Sequence, residues 1–137
     1  MSNEEGFRQL LIGSVCKQLI CQQYWFEGRC SDGANALFMQ LYRGGWVRFF
    51  FDCGEFFWRM EATPSSPDDL QMTGPYAYPV VDLTERCGVA DHQVLDLSFY
   101  ELPRGRGLKI VFSEGKAMIV ENSDDHNTAG CEISHSA

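Results

Sequence analysis

Trp46-Val47-Arg48-Phe49-Phe50-Phe51-Asp52-Cys53-Gly54-Glu55-Phe56-Phe57-Trp58-Arg59-Met60-Glu61 is the stretch that decides the fold. Two runs of strand-forming residues flank Asp-Cys-Gly, which is the pattern of a tight hairpin. With Cys53-Gly54 as a two-residue loop, Phe51 faces Phe56, Phe49 faces Trp58 and Val47 faces Met60. All six then lie on one side of the sheet, predicted as core, whereas a one-residue slip would mix the two faces. The other side pairs Phe50 with Phe57, Arg48 with Arg59, Trp46 with Glu61 and Asp52 with Glu55. Two arginines directly opposite each other repel unless a carboxylate or other anion lies between them. Flanking aromatics offer their faces to guanidinium planes.

That second face has two readings. In one, Glu61 and carboxylates from the acidic second half neutralise the arginines, while an N-terminal helix or a neighbouring loop covers Phe50 and Phe57. In the other, the face is a binding surface made of Trp46, Arg48, Phe50, Phe57, Arg59 and Glu61, with Trp46, Arg48 and Arg59 as anchors of the kind found at interface hot spots.

Outward from the hairpin, strand patterns continue on both sides. Residues 3–12 form a predicted short helix, capped by Ser2 or Asn3, with Glu4 and Glu5 in its first turn and Phe7, Leu10 and Leu11 on one face. Gly13 ends it. Val15–Phe26 and Ala36–Tyr42 read as strands, with Ser31-Asp32-Gly33 as a turn signal between them and Arg43-Gly44-Gly45 as the turn before the hairpin. Beyond it, prolines 64, 67, 75 and 79 punctuate a predicted loop over 62–79. Val80–Leu83, Val94–Leu102, Leu108–Phe112 and Lys116–Glu121 follow as strands, with a helical turn through Arg86, a loop over Pro103–Gly107 and a turn at Ser113-Glu114-Gly115. From Asn122 the tail is polar, with Cys131-Glu132-Ile133 as a short last edge strand.

The fold class is therefore α+β: a mainly antiparallel sheet of hairpins and meanders with a short N-terminal helix, in one domain of 137 residues. An internal echo is visible. Leu37, Met39, Leu41, Gly44, Val47 and Phe49 match Leu108, Ile110, Phe112, Gly115, Met118 and Val120 in spacing, and Gly13 and Gly88 precede the two sets. Tandem strand–hairpin units at 1–61 and 80–122, joined by the proline-rich segment, would produce this. So would the alternation of any meander.

Composition narrows the function classes. The net charge is −8; residues 1–61 hold seven acids and six bases, and residues 62–137 hold twelve and five. Such a surface repels phosphate backbones, so nucleic acid is not an expected partner. It steers basic partners or serves solubility alone. No apolar run reaches membrane-spanning length. Met1-Ser2-Asn3-Glu4-Glu5 lacks the basic, then apolar, start of a secretion signal, which gives a cytoplasmic expectation. Cysteines 16, 21, 30, 53, 87 and 131 are accordingly expected as reduced thiols, with no paired spacing suited to zinc.

Chemistry-bearing clusters are sparse. Asp124-Asp125-His126-Asn127 holds metal-type ligands side by side, a pattern more typical of a solvated turn. Asp91-His92 is an acid–base pair with no evident nucleophile. Arg104 and Arg106 among glycines suggest either an anion nest or a basic hairpin loop. No catalytic, metal or cofactor motif is predicted.

Leu108-Lys109-Ile110-Val111-Phe112-Ser113-Glu114-Gly115-Lys116-Ala117-Met118-Ile119-Val120-Glu121-Asn122 resembles the strand–turn–strand ending of many small bacterial proteins, some of which are toxin-immunity proteins. The short helix and the hairpins over 36–61 share that look. The resemblance implies a non-enzymatic inhibitor that masks a partner, such as a basic toxin domain, and assigns no residue. Two other functions compete with it: an anion-binding module or enzyme built on Trp46, Arg48 and Arg59, and a homodimer seam formed by the same face.

Overall fold

The hairpin forms in the predicted register, from Trp46 opposite Glu61 to Asp52 opposite Glu55. Cys53 and Gly54 both take left-handed φ, 51° and 78°, as a two-residue loop between right-twisted strands requires. The computed structural model describes residues 3–61, 75–124 and 126–133. The chain runs α1 (Asn3–Leu11), β1 (Cys16–Phe26), β2 (Arg29–Leu41), β3 (Gly45–Asp52), β4 (Glu55–Glu61), β5 (Tyr76–Ala77), β6 (Val80–Asp82), α2 (Thr84–Cys87), β7 (Val94–Leu102), β8 (Gly105–Phe112), β9 (Lys116–Ser123) and β10 (His126–Ile133). Ser113–Gly115 is a single tight turn.

All pairings are antiparallel, and the protein is α+β and mainly antiparallel β. One sheet has the order β4-β3-β2-β1-β5, with β6 also on the free edge of β1; the other has the order β10-β9-β8-β7. Both sheets supply the main core. Val47, Phe49 and Phe51 from the first meet Leu108, Ile110, Phe112, Met118 and Val120 from the second, all buried.

The sheets are joined at their corners. Gly13 N–H donates to Val94 O and Val94 N–H to Ser14 O, both at 2.8 Å, where the chain enters β1 and β7. Each helix then bridges the last strand of its own meander and the first strand of the other. α1 seats Phe7 on Phe56 at 4.8 Å between ring centres, and sends Arg8 to the carbonyl of Leu97 and to Asp96. Trp58 Nε1 donates to Asn3 O at 2.7 Å. α2 holds Leu19 of β1 through the Thr84 hydroxyl, at 2.8 Å from the Leu19 N–H, and is covalently tied to β10 by a Cys87–Cys131 disulfide with Cα atoms 5.1 Å apart.

Several sequence expectations are corrected here. Ser31-Asp32-Gly33 does not turn the chain. β2 runs through it, and the reversal is Glu27-Gly28, both left-handed. The Asp-Gly signal instead marks register shifts opposite Tyr24 and Trp25, where a bulge bends the strand. The predicted loop over 103–107 shrinks to a turn at Pro103-Arg104. Gly105 and Gly107 are strand residues, and glycine stands there because a Cβ would lie 1.7 Å from Asn122 O and 2.3 Å from the Tyr100 ring. The last strand begins at His126, so the second meander extends past residue 122. The six cysteines are not all thiols, since the fold brings Cys87 and Cys131 together across 44 residues of sequence. Within the predicted 62–79 loop, residues 62–74 lie outside the described residues, while Tyr76–Ala77 pairs with β1.

Candidate functional site

Strand alternation sends Arg48, Phe50, Phe57 and Arg59 to the face of the first sheet turned away from the second sheet. The fate of each predicted contact residue differs. Trp46 is only 7% exposed and packs with Ala36 and Phe38 in a small satellite core on that face, so it is a support and not an exposed anchor. Phe50 packs against that cluster and stacks on Phe57, ring centres 5.4 Å apart. Phe57 remains 39% exposed. Neither is covered by α1, which lies on the opposite face against Phe49 and Phe56. Met60, expected in the core, is also exposed, because the core side of β4 is covered only as far as Trp58.

The two facing arginines are neutralised unequally. Arg59 forms an ion pair with Glu61 at 2.8 Å, on its own strand. Among the described residues Arg48 has no carboxylate within ion-pair range. Its guanidinium lies over the Phe50 ring at 5.0 Å and near Phe38 at 6.0 Å, so aromatic faces take up part of the role a counter-ion would have. Its Nε is buried and has no hydrogen-bond partner among the described residues. A buried charged donor left unmade is costly, which sets this side chain apart from every other arginine described.

Arg48 borders a cleft of about 290 Å³ whose other walls are Asp32, Asn35, Phe50, Phe51, Asp52, Cys53, Asn122 and Asn127. A continuous polar network forms its inner wall. Gly54 N–H donates to Asn122 Oδ1, Asn122 Nδ2 to Asn127 Oδ1, and Asn127 Nδ2 to Asp32 Oδ2 at 2.9 Å. Asp32 Oδ1 also accepts from the backbone of Asn127 at 3.0 Å and of Ala34 at 3.3 Å. Asn35 donates to Gln22 at 3.0 Å. The network links β2 to β10 and so closes one corner between the sheets.

These polar wall residues are absent from the sequence-derived set. One signal for them existed: Asn122 continues the inward phase of Met118 and Val120, and an amide at a core slot needs partners. The partners of Asn122, Gly54 at the hairpin turn and Asn127 on the next strand, are not given by that phase.

The remaining clusters resolve as paired groups. Asp91 and His92 do not pair. Asp91 accepts from the Tyr42 hydroxyl, which raises the Tyr42 pKa, while His92 Nδ1 shares a hydrogen bond with Ser113 Oγ at 2.9 Å and its Nε2 lies 3.7 Å from Glu114. Arg104 meets Asp124, and Arg106 meets Glu4 at 2.7 Å and Glu101 at 3.1 Å, so neither stands in an anion nest. In the 124–127 segment, Asp125 lies outside the described residues and Asn127 belongs to the buried network. Among the described residues no three metal-binding side chains converge, and no helix is long and apolar enough to cross a membrane.

Burial raises the thiols of Cys16 and Cys21 to about 12, with Asp91 and Asp32 adding to the effect. Cys30 and Cys53 are exposed.

No protein-family model matches the chain, and neither a curated protein nor a solved structure shows significant similarity to it.

Proposed function

We propose that this protein is a non-enzymatic binding protein that recognises a protein partner through the outer face of its first sheet, in the manner of an inhibitor or immunity protein. The observation that supports this reading is Phe57: a large ring left 39% exposed, stacked on a half-buried Phe50 and flanked by Arg48 and Arg59. Aromatic rings and arginines held in place by packing beneath them are the residues that dominate binding energy in protein interfaces. Trp46 and Phe38 supply that packing. The net charge of −8 would speed encounter with a basic partner such as a toxin domain, and Phe57 and Arg59 would make the short-range contacts.

The cytoplasm is the proposed compartment. The Cys87–Cys131 disulfide weighs against it, because such bonds persist mainly in oxidising compartments, and thiol trapping on native isolation decides whether the pair is bonded in the cell.

The test is capture of native partners at low salt with tagged protein, read by mass spectrometry, beside Phe57→Ala and Arg59→Ala. A stoichiometric protein partner retained by the wild type and lost by both variants is the expected result. Absence of any such partner, or equal retention by the variants, refutes the reading. Light scattering that shows a dimer dispersed by Phe57→Ala would replace the partner with a second copy of the chain.

A further inference from the structure

The cleft beside Arg48 has a chemistry of its own. Three features define it: one guanidinium, two carboxylates, and walls of amide and aromatic side chains around about 290 Å³. The guanidinium has no carboxylate partner among the described residues, and its Nε is enclosed by protein, so its outer nitrogens are the ones that can meet a ligand. Asp32 already accepts from Asn127 and Ala34, which fixes its position while leaving lone-pair capacity on Oδ2. Asp52 stands at the hairpin turn on the cleft's rim, exposed.

A simple anion fits Arg48 but not its surroundings, because the Asp32 and Asp52 carboxylates repel it. A simple cation fits the aspartates but leaves the Arg48 charge without a counter-ion. A molecule with a carboxylate at one end and an ammonium at the other satisfies both. Volume sets the scale: at about 30 Å³ per water in the liquid, the cleft has room for roughly ten waters, the size of a small organic molecule.

We propose that this cleft is a binding site for a small zwitterion of the α-amino acid class, with the ligand carboxylate on Arg48, its ammonium group towards Asp52 and Asp32, and its side chain against Phe50. The site adjoins the face of the protein-partner reading, since Phe50 stacks on Phe57 and Arg48 lies opposite Arg59; Asp52, which that reading does not use, separates the two in the test. The Phe50 face fixes the guanidinium plane, and the Asp32–Asn127–Asn122 network fixes the inner wall, so the cleft is formed before a ligand arrives.

The experiment uses the whole chain and titration calorimetry with each of the twenty standard L-amino acids. At least one should bind saturably. The acid that lacks its ammonium group, and the amine that lacks its carboxylate, should each bind at least tenfold more weakly. Arg48→Gln and Asp52→Asn should each weaken the amino acid at least tenfold while leaving circular dichroism unchanged, and Asp52→Asn should also leave partner capture unchanged. Asp52 is exposed, so its variant remains informative should Arg48→Gln fail to fold. No binding by any of the twenty, equal binding of the deaminated acid, or unchanged affinity in both variants overturns the site.

Discussion

Asn127→Ala tests whether the polar network holds the two sheets together. Asn127 is 5% exposed, donates from Nδ2 to the Asp32 carboxylate at 2.9 Å and accepts from Asn122 Nδ2 at 3.0 Å. Alanine removes both bonds together with a longer one from Nδ2 to Phe51 O at 3.5 Å, and keeps only the backbone N–H on Asp32. A hydrogen bond to a charged group is worth about 1.5–3 kcal/mol, and a stranded buried amide costs about 1–3 kcal/mol. Water entering from the cleft that Asn127 lines would soften the second figure, which leaves a loss of about 3 kcal/mol. At about 2.1 cal/mol/K of unfolding entropy per residue, 137 residues convert that loss into a fall in Tm of about 10 °C. Urea denaturation and calorimetry measure it directly. A double-mutant cycle with Asp32→Ala should give a coupling above about 1 kcal/mol. A loss under about 1 kcal/mol, or additive single effects, would refute the claim that this corner is held by the network.

Two further predictions concern the buried thiols and the strand glycines. Cys16 and Cys21 keep their protons to about pH 12 in the folded protein, whereas in the unfolded chain they titrate near 9, so the folded state binds more protons in that window. Their contribution is fully present below pH 9 and falls as pH rises, by about 1.4 kcal/mol per pH unit per thiol. Urea midpoints for a Cys30→Ser, Cys53→Ser background should therefore drop between pH 9 and 10.5, and by less when Cys21 is also replaced with Ala; a flat profile contradicts the burial. Gly107→Ala should destabilise by about 1–3 kcal/mol, since its methyl would meet the Tyr100 ring at 2.3 Å, while Gly130→Ala, with nothing within 4 Å, should stay within about 0.5 kcal/mol. Thermal melts of the two variants that cannot be told apart would contradict that placement.

What was legible in the sequence was what alternation and turn chemistry encode. The 46–61 register followed from one constraint, that six apolar residues share a face, and every predicted pair formed. The matched spacing of 37–49 and 108–120 corresponds to two hairpins whose inward residues meet in one core. The errors share a cause: local signals with a non-local explanation. Asp32-Gly33 reads as a turn, yet Gly33 is small because a Cβ there would come within 3.1 Å of Asn127 O, and Asp32 serves β10. Gly105 and Gly107 read as loop, yet they make room for the neighbouring strands. Cys87 and Cys131 have no shared spacing, because only the packing of α2 on β10 brings them close. The cleft was half legible. Arg48 and Phe50 stood out through the facing arginines, while Asn122 and Asn127 looked like the start of a polar tail.

The facing arginines separate the two binding proposals. Had both guanidinia found carboxylates, the outer face would be an ordinary charged ladder. Had neither, the repulsion across β3 and β4 would fall on the hairpin itself, the element on which the register depends. Instead Arg59 is quenched by Glu61 on its own strand, and only Arg48 keeps an unmade donor. Arg59 is therefore free to contribute shape and a screened charge beside Phe57, which suits a protein contact that can form and dissociate. Arg48 is buried at Nε and fixed over Phe50, which suits a smaller ligand that enters a preformed cleft. Asp52→Asn should then weaken the second kind of binding and spare the first, and Arg59→Ala should do the reverse.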